Sequence, residues 1–182
     1  MTPINILVER QLFFIKQRIF SSLSFFLLDN KISGKVRAAL LSSMGAKIGK
    51  DCFVRGGLTV LETFDLTLGD RVFINNNCTV DCSAPVTICD GVCIGYNVTF
   101  STGNHGLGGP EKRCGVGNAK PITVKEGVWI GAGSIIFSGV TLGEGSVIMG
   151  GSVVGANVPP NTMVGGNPAR PIKKLDPASP TP

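Results

Sequence analysis

The chain has 182 residues, of which 43% are hydrophobic and 16% charged, with a formal net charge of +5. A positive mean hydropathy of +0.29 excludes a disordered protein, and the length suits one domain with appendages. The positive charge suits a phosphate-bearing partner such as a nucleotide cofactor, and equally nucleic acid or an anionic membrane, so charge alone selects none of them. The 25 glycines and 11 prolines, with no collagen triplet, point to many regularly spaced corners. Six cysteines in a chain longer than the small disulfide scaffolds are read as reduced thiols.

The first expected element is a helix over Ile4 to Leu28, with Leu12, Ile15, Ile19, Leu23 and Phe26 at helical spacing. Its longest uncharged run, Ile19 to Leu28, is well short of the ~20 residues that span a bilayer. Arg10, Lys16 and Arg18 among these apolar residues suit a helix lying on a membrane surface or packed on a neighbouring subunit. The following "DNKISGK" offers no convincing signal-peptide cleavage site.

From Ile48 onward an apolar residue recurs every six positions in five groups of three: 48, 54 and 60; 68, 74 and 80; 88, 94 and 100; 124, 130 and 136; 142, 148 and 154. Steps between groups are eight, eight, twenty-four and six, so additions fall at one kind of corner. This is the arithmetic of a triangular coil with three short strands per turn. The residue two before each anchor is small or β-branched in most cases, as Cys52, Val72, Cys78, Val92, Ser134 and Ser152 show. Both positions therefore point inward on a period-two strand. Glycine often follows the anchor (Gly49, Gly69, Gly95, Gly131, Gly143), and is read as permitting the tight corner. "PVTICDGVCIG" at Pro85 and "PITVKEGVWIG" at Pro121 repeat one phrase in one register.

The step of twenty-four makes an eighteen-residue excursion between Phe100 and Val124 that carries "STGNHGLGG" and the chain's single histidine, His105, beside Asn104. A loop of this length inside a compact repeat is functional or disordered. Domain limits follow as a helical segment 1–45, a coil 46–170 with its loop 101–121, and a tail 171–182, whose last stretch "DPASPTP" reads as disordered.

The pattern [Ile/Leu/Val]-Gly-x4 over Ile48 to Val154 resembles the hexapeptide-repeat acyltransferases. The resemblance implies an all-β left-handed parallel β-helix of about five triangular coils, with an N-terminal α-helical segment and an extended loop. "VPPNTMVGGNPARPIKKL" at Val158 is similar to the end of maltose, galactoside and nodulation-type sugar O-acetyltransferases. The leader and "LLSSMGAKIGKDCFVR" resemble acetyltransferases of colanic-acid-type exopolysaccharides.

That resemblance implies an acetyl-CoA-dependent O-acetyltransferase acting on a sugar or surface-polysaccharide precursor, with no metal and no nucleic acid. The "T-G-x-H" setting makes His105 the general base, a task that suits neutral imidazole. In "FINNNCTVD", similar to the family's "A-N-F-N-C", Asn75 is carried over as a catalytic residue of the acceptor site and Asp81 as a sugar ligand. Asn77 and Asn104 are further acceptor candidates, Asn77 reading equally as a turn residue. After "W-I-G", the Ala132 amide stabilises the thioester oxyanion, with Trp129, Gly131 and Gly150 lining the donor site and Arg170, Lys173 and Lys174 meeting coenzyme A phosphates. Departures are Ile74 and Asn76 within the asparagine phrase, and Gly155-Ala156 where many sugar acetyltransferases carry Thr-Lys.

The family further implies a homotrimer with active sites between subunits; the protein is expected in the cytoplasm, with its leader against either the inner face of the membrane or a neighbouring subunit. Outward Tyr96, Trp129 and Phe137 are surfaces that a partner could cover. Serine O-acetylation, N-acetylation of a nucleotide-linked amino sugar and a non-catalytic coil are the competing readings. A single histidine departs from the three-histidine zinc site of the γ-type carbonic anhydrases on the same fold.

Overall fold

The computed structural model describes residues 3–27, 30–62 and 65–176. Two helices, α1 (Pro3–Phe26) and α2 (Lys31–Ser43), precede a left-handed parallel β-helix. Its strands stack into three faces, begun by Lys47–Ile48, Phe53–Val54 and Thr59–Leu61 and repeated on each later turn. Parallel register keeps equivalent residues in columns; Phe53, Phe73, Cys93, Trp129, Val147 and Met163 form one outward column of the second face.

Every anchor residue from Val54 to Val154 is buried, and so are the small residues two positions earlier. Ile48, in the first turn beside the second helix, is only partly buried and packs against the core. Among the inward small residues, Cys78 sets its Sγ 3.2 Å from the Gly95 carbonyl, and Ser134 donates to Gly131 O at 2.9 Å. Inward polar atoms thus satisfy the carbonyls that the corners turn into the core. Burial pushes the Cys82 thiol up to about 12, with Asp81 and Asp65 adding to the effect.

Two details differ from the sequence-based expectation. The coil has about six turns rather than five. Val158 bridges to Leu142 and Thr162–Gly165 pairs with the strand below, but the step from Val154 to Val158 is four rather than six, which hides this turn from the six-residue count. The chain then doubles back as Arg170–Lys174, antiparallel to Thr162–Gly165.

The glycine after the anchor has a different role from the one expected. The left-handed backbone lies at other positions, including Gly57, Asn77, Asn97, Gly133 and Gly151 at the corner between the second and third faces. Gly131 is needed instead for approach between turns, since a Cβ there would lie 2.4 Å from Gly150 N.

The N-terminal helix covers Ile4 to Phe26 of the expected span, and Leu28 lies outside the described residues. Its packed side is not the stripe visible in the sequence. Phe20 and Ser24 are buried, and Gln17 donates to Val60 O at 2.8 Å, whereas Val8, Leu12, Ile15 and Ile19 are each about half exposed. Helix α2 starts at Asn30, whose side chain accepts from Ser33 N–H at 3.0 Å, and covers the first turn with Ala38 and Leu41. Buried Arg37 donates to Ser24 O at 3.1 Å and Leu27 O at 2.6 Å, satisfying carbonyls at the C-terminal end of α1. Among the described residues no helix is long and apolar enough to cross a membrane. Asp176 is described, but the rest of the expected disordered tail lies outside the described residues.

Candidate active site

The loop leaves the coil after Thr99–Ser101, and its root is closed by side chains rather than by repeat pairing. The Asp81 carboxylate accepts from Ser83 N–H at 2.9 Å, Ser83 Oγ at 2.6 Å and Gly103 N–H at 2.6 Å. Buried Thr102 donates to Asp81 O at 2.8 Å and accepts from Ala84 N–H at 3.0 Å. From the segment that returns to the coil, Lys120 N–H donates to Thr102 O and Asn118 N–H to Asn104 O, at 3.1 and 2.7 Å. Partial burial alone would raise the Asp81 pKa, but the bonds from Ser83 and Gly103 outweigh it and hold the carboxyl below the usual range.

This root makes a prediction. A depressed folded value contributes stability above the unfolded Asp value near ~3.9 and loses it as pH falls through the folded value. Asp81→Ala should raise the loop-opening equilibrium about tenfold, the scale of a charge-assisted hydrogen bond. Amide exchange at Gly103 would show this, and unchanged protection would refute the brace.

Beyond the root the expected loop is a hairpin, His105–Leu107 against Cys114–Gly117. It lacks alternating apolar residues, so no strand signal is legible, and close glycine contacts hold it; a Cβ at Gly115 would lie 2.7 Å from Gly106 O. His105 is exposed, its backbone N–H donates to Asn104 Oδ1 at 2.8 Å, and its Nδ1 lies 3.0 Å from Gly115 O. A carbonyl only accepts, so Nδ1 carries the proton in this bond and Nε2 presents its lone pair. The hairpin thus offers an oriented proton acceptor. Leu107 and Val116 are 93% and 86% exposed, an apolar surface with no covering among the described residues.

The other candidates lie along the second face and its corner with the third. Arg55, Asn75, Gly95 and Gly131 follow four successive anchors; their amides donate to Ile74, Ile94, Ile130 and Ile148 carbonyls at 2.7–3.0 Å. Asn75 accepts from Asn76 N–H at 3.0 Å through Oδ1, which aims its amide group. Asn77 has φ 61° and forms the corner itself, a turn duty of the kind its side chain tolerates.

Further along, Trp129, Gly131, Met149, Gly150 and Met163 line a groove of about 230 Å³. Ala132 O accepts from Gly151 N–H at 2.8 Å, while no partner for the Ala132 N–H occurs among the described residues. Lys173 continues the outward Trp129 column beyond Met163, and Lys174 instead donates to Thr162 Oγ1 at 3.0 Å. Arg170 is exposed on the same final strand.

The candidates therefore form two groups on different edges of one prism. Asp81, Asn104 and His105 lie at or beyond the corner that emits the hairpin; Asn75, Asn77, Trp129, Gly131, Ala132 and Gly150 belong to the second face and the next corner. Arg55 shares the column of Asn75 but was not singled out in the sequence, because alignment across turns is invisible without the register. No cluster of metal-binding side chains occurs among the described residues.

Comparison with known proteins gives a match over residues 121–156 to the family model described as hexapeptide repeat of succinyl-transferase. A Schizosaccharomyces pombe protein is 42% identical over 62% of the chain, and the match spans 55% of that relative's length. The galactoside O-acetyltransferase of Escherichia coli is 34% identical over 77% of the chain and 69% of its own. A hexapeptide-repeat acetyltransferase from Vibrio cholerae, solved in complex with acetyl coenzyme A, superposes with a TM-score of 0.82 at 31% identity, covering 96% of this chain and 91% of that one.

Proposed function

Since the chain belongs to the hexapeptide-repeat acetyltransferases, we propose that it transfers acetyl from acetyl-CoA to a hydroxyl of a sugar or surface-polysaccharide precursor, with His105 as general base. The observation that carries this reading is the bond between His105 Nδ1 and Gly115 O, which leaves Nε2 as the proton acceptor. Nε2 takes the hydroxyl proton as the oxygen attacks the thioester carbonyl, and the Ala132 N–H receives the developing oxyanion. Collapse breaks the carbon–sulfur bond, and the imidazolium returns the proton to the departing thiolate. Asn75, with its amide aimed by Asn76, orients the acceptor. The pantetheine arm follows the Trp129 groove toward Lys173, which lies three strands farther along at ~4.8 Å per strand.

The two separated groups favour a homotrimer in which the hairpin of one copy meets the Trp129 wall of the next. Leu107 and Val116 would then be covered, together with Tyr96, Trp129 and Phe137, which are exposed in the single chain. On the same reading the outward stripe of α1, flanked by exposed Lys16 and Arg18, rests on the inner face of the membrane. Flotation with anionic vesicles but not with neutral ones is the expected result; equal recovery with neither would remove the membrane contact.

The test of the reaction is thiol release from acetyl-CoA in the presence of sugars, polysaccharide precursors, serine and amino sugars. Release that requires a sugar hydroxyl supports the reading. Release that requires serine or an amino sugar would replace the acceptor, and coenzyme A binding without release by any acceptor would count against catalysis.

A further inference from the structure

We propose that the outer wall of the first two turns is a subsite for a phosphate-linked sugar acceptor, with Arg55 and Lys35 meeting the phosphate or diphosphate and Phe53 and Phe73 the group beyond it. The subsite rests on the acetyl-transfer reading for the position of the reacting hydroxyl.

Arg55 occupies the strand end directly below Asn75: its N–H donates to Ile74 O at 2.9 Å, and Asn75 N–H donates to Ile94 O at 3.0 Å. Adjacent strands are ~4.8 Å apart, so an acceptor held at Asn75 and extending away from the thioester reaches Arg55 at the next step. Beside Arg55, Phe73 and Phe53 lie two and three strands below Trp129 in one register. Their rings stack with centroids 5.5 Å apart and planes within 7° of parallel. The Arg55 guanidinium carbon is 6.0 Å from each ring centroid.

These three residues and Lys35 line an open pocket of about 360 Å³. Helix α2 reaches its rim because residue 34 is glycine; a Cβ there would lie 2.2 Å from the Phe53 ring. Lys35 also pairs with Asp51 at 3.1 Å. Guanidinium beside an aromatic stack suits an anion joined to an apolar or aromatic group. A neutral glycoside short enough to end at Asn75 would use none of these four side chains. The shared chemistry is a glycosyl phosphate or diphosphate, whose far group is either a nucleoside or an isoprenoid.

The experiment compares acetyl transfer to methyl glycosides, nucleoside diphosphate sugars and short prenyl diphosphate sugars, alongside calorimetric binding of uridine diphosphate and geranyl diphosphate. The expected result is a KM at least tenfold lower for a diphosphate-linked acceptor than for its methyl glycoside, with Arg55→Gln collapsing that ratio toward one. Phe73→Leu, which keeps apolar volume, should weaken binding of uridine diphosphate more than of geranyl diphosphate if the far group is a nucleoside, and both alike if it is an isoprenoid. A wild-type ratio near one, or a ratio that Arg55→Gln leaves unchanged, overturns the subsite. If no acceptor releases thiol, the transfer reading fails separately: diphosphate binding lost in Arg55→Gln would still uphold an anion subsite, and absent binding would end it.

Discussion

Replacing His105 with alanine is expected to lower kcat/KM for acetyl transfer by about 10²–10⁴-fold, the usual contribution of a positioned general base. The argument depends on orientation rather than on the presence of an imidazole. Gly115 O can only accept, so its bond to His105 Nδ1 selects the tautomer in which Nε2 is basic. The Asn104 side chain accepts from the His105 amide and steadies the same residue from behind. Because His105 is exposed on the hairpin, its loss should leave thermal stability and coenzyme A affinity close to those of the native chain. A fall in affinity matching the fall in kcat/KM would show a binding residue instead. The spatial separation of the two candidate groups adds a stricter test. Co-assembled His105→Ala and Asn75→Ala chains should recover activity that neither has alone, and failure to recover would place base and acceptor wall in one chain.

Gly131→Val is expected to destabilise the coil by about 3 kcal/mol, at the upper end of the usual overpacking cost. A Cβ at this position would lie 2.4 Å from Gly150 N, 2.8 Å from Gly150 Cα and 2.9 Å from Ile148 O. All three are backbone atoms of the next turn, so no side chain can rotate aside. The strands there are also tied by the bond from Gly131 N–H to Ile148 O at 2.7 Å, which must lengthen if the turns part. For a chain of this size the loss corresponds to a fall in Tm of roughly 6–12 °C. Gly155→Ala is the matched control, since the nearest atom to its Cβ would be Phe137 Cδ2 at 4.0 Å. Similar melting of the two variants would show that close approach does not explain Gly131. The same substitution narrows the Trp129 groove, so acetyl-CoA affinity should fall even where the variant remains folded.

The contrast between Gly131 and Gly133 shows where local reading stops. A glycine recurring after the anchor invites the explanation that the backbone turns there, yet φ is +71° at Gly133 and lies in the ordinary range at Gly131. What Gly131 accommodates is a turn arriving almost twenty residues later. Helix α1 gives a second case. Leu12, Ile15 and Ile19 carry the visible periodicity, but Phe20 and Ser24 face the protein, because Arg37 and Val60 draw the other side of the helix inward. The hairpin around His105 is a third, since glycines without alternation carry no strand signal.

The sequence by itself determined the inward residues, the three-sided coil, the point at which the loop leaves it and the helical character of the leader. Each follows from side chains a few positions apart, where alternation and the six-residue period are set by local backbone geometry. Only the tertiary structure decided the sixth turn, the packed side of α1, the proton-bearing nitrogen of His105 and the column joining Arg55, Asn75 and Gly131. Those depend on register between turns, and corner insertions of unequal length place Asn75 twenty residues from Gly95 but Gly95 thirty-six from Gly131. The hydrogen bonds between stacked strands set that alignment, and they join residues that no local period relates.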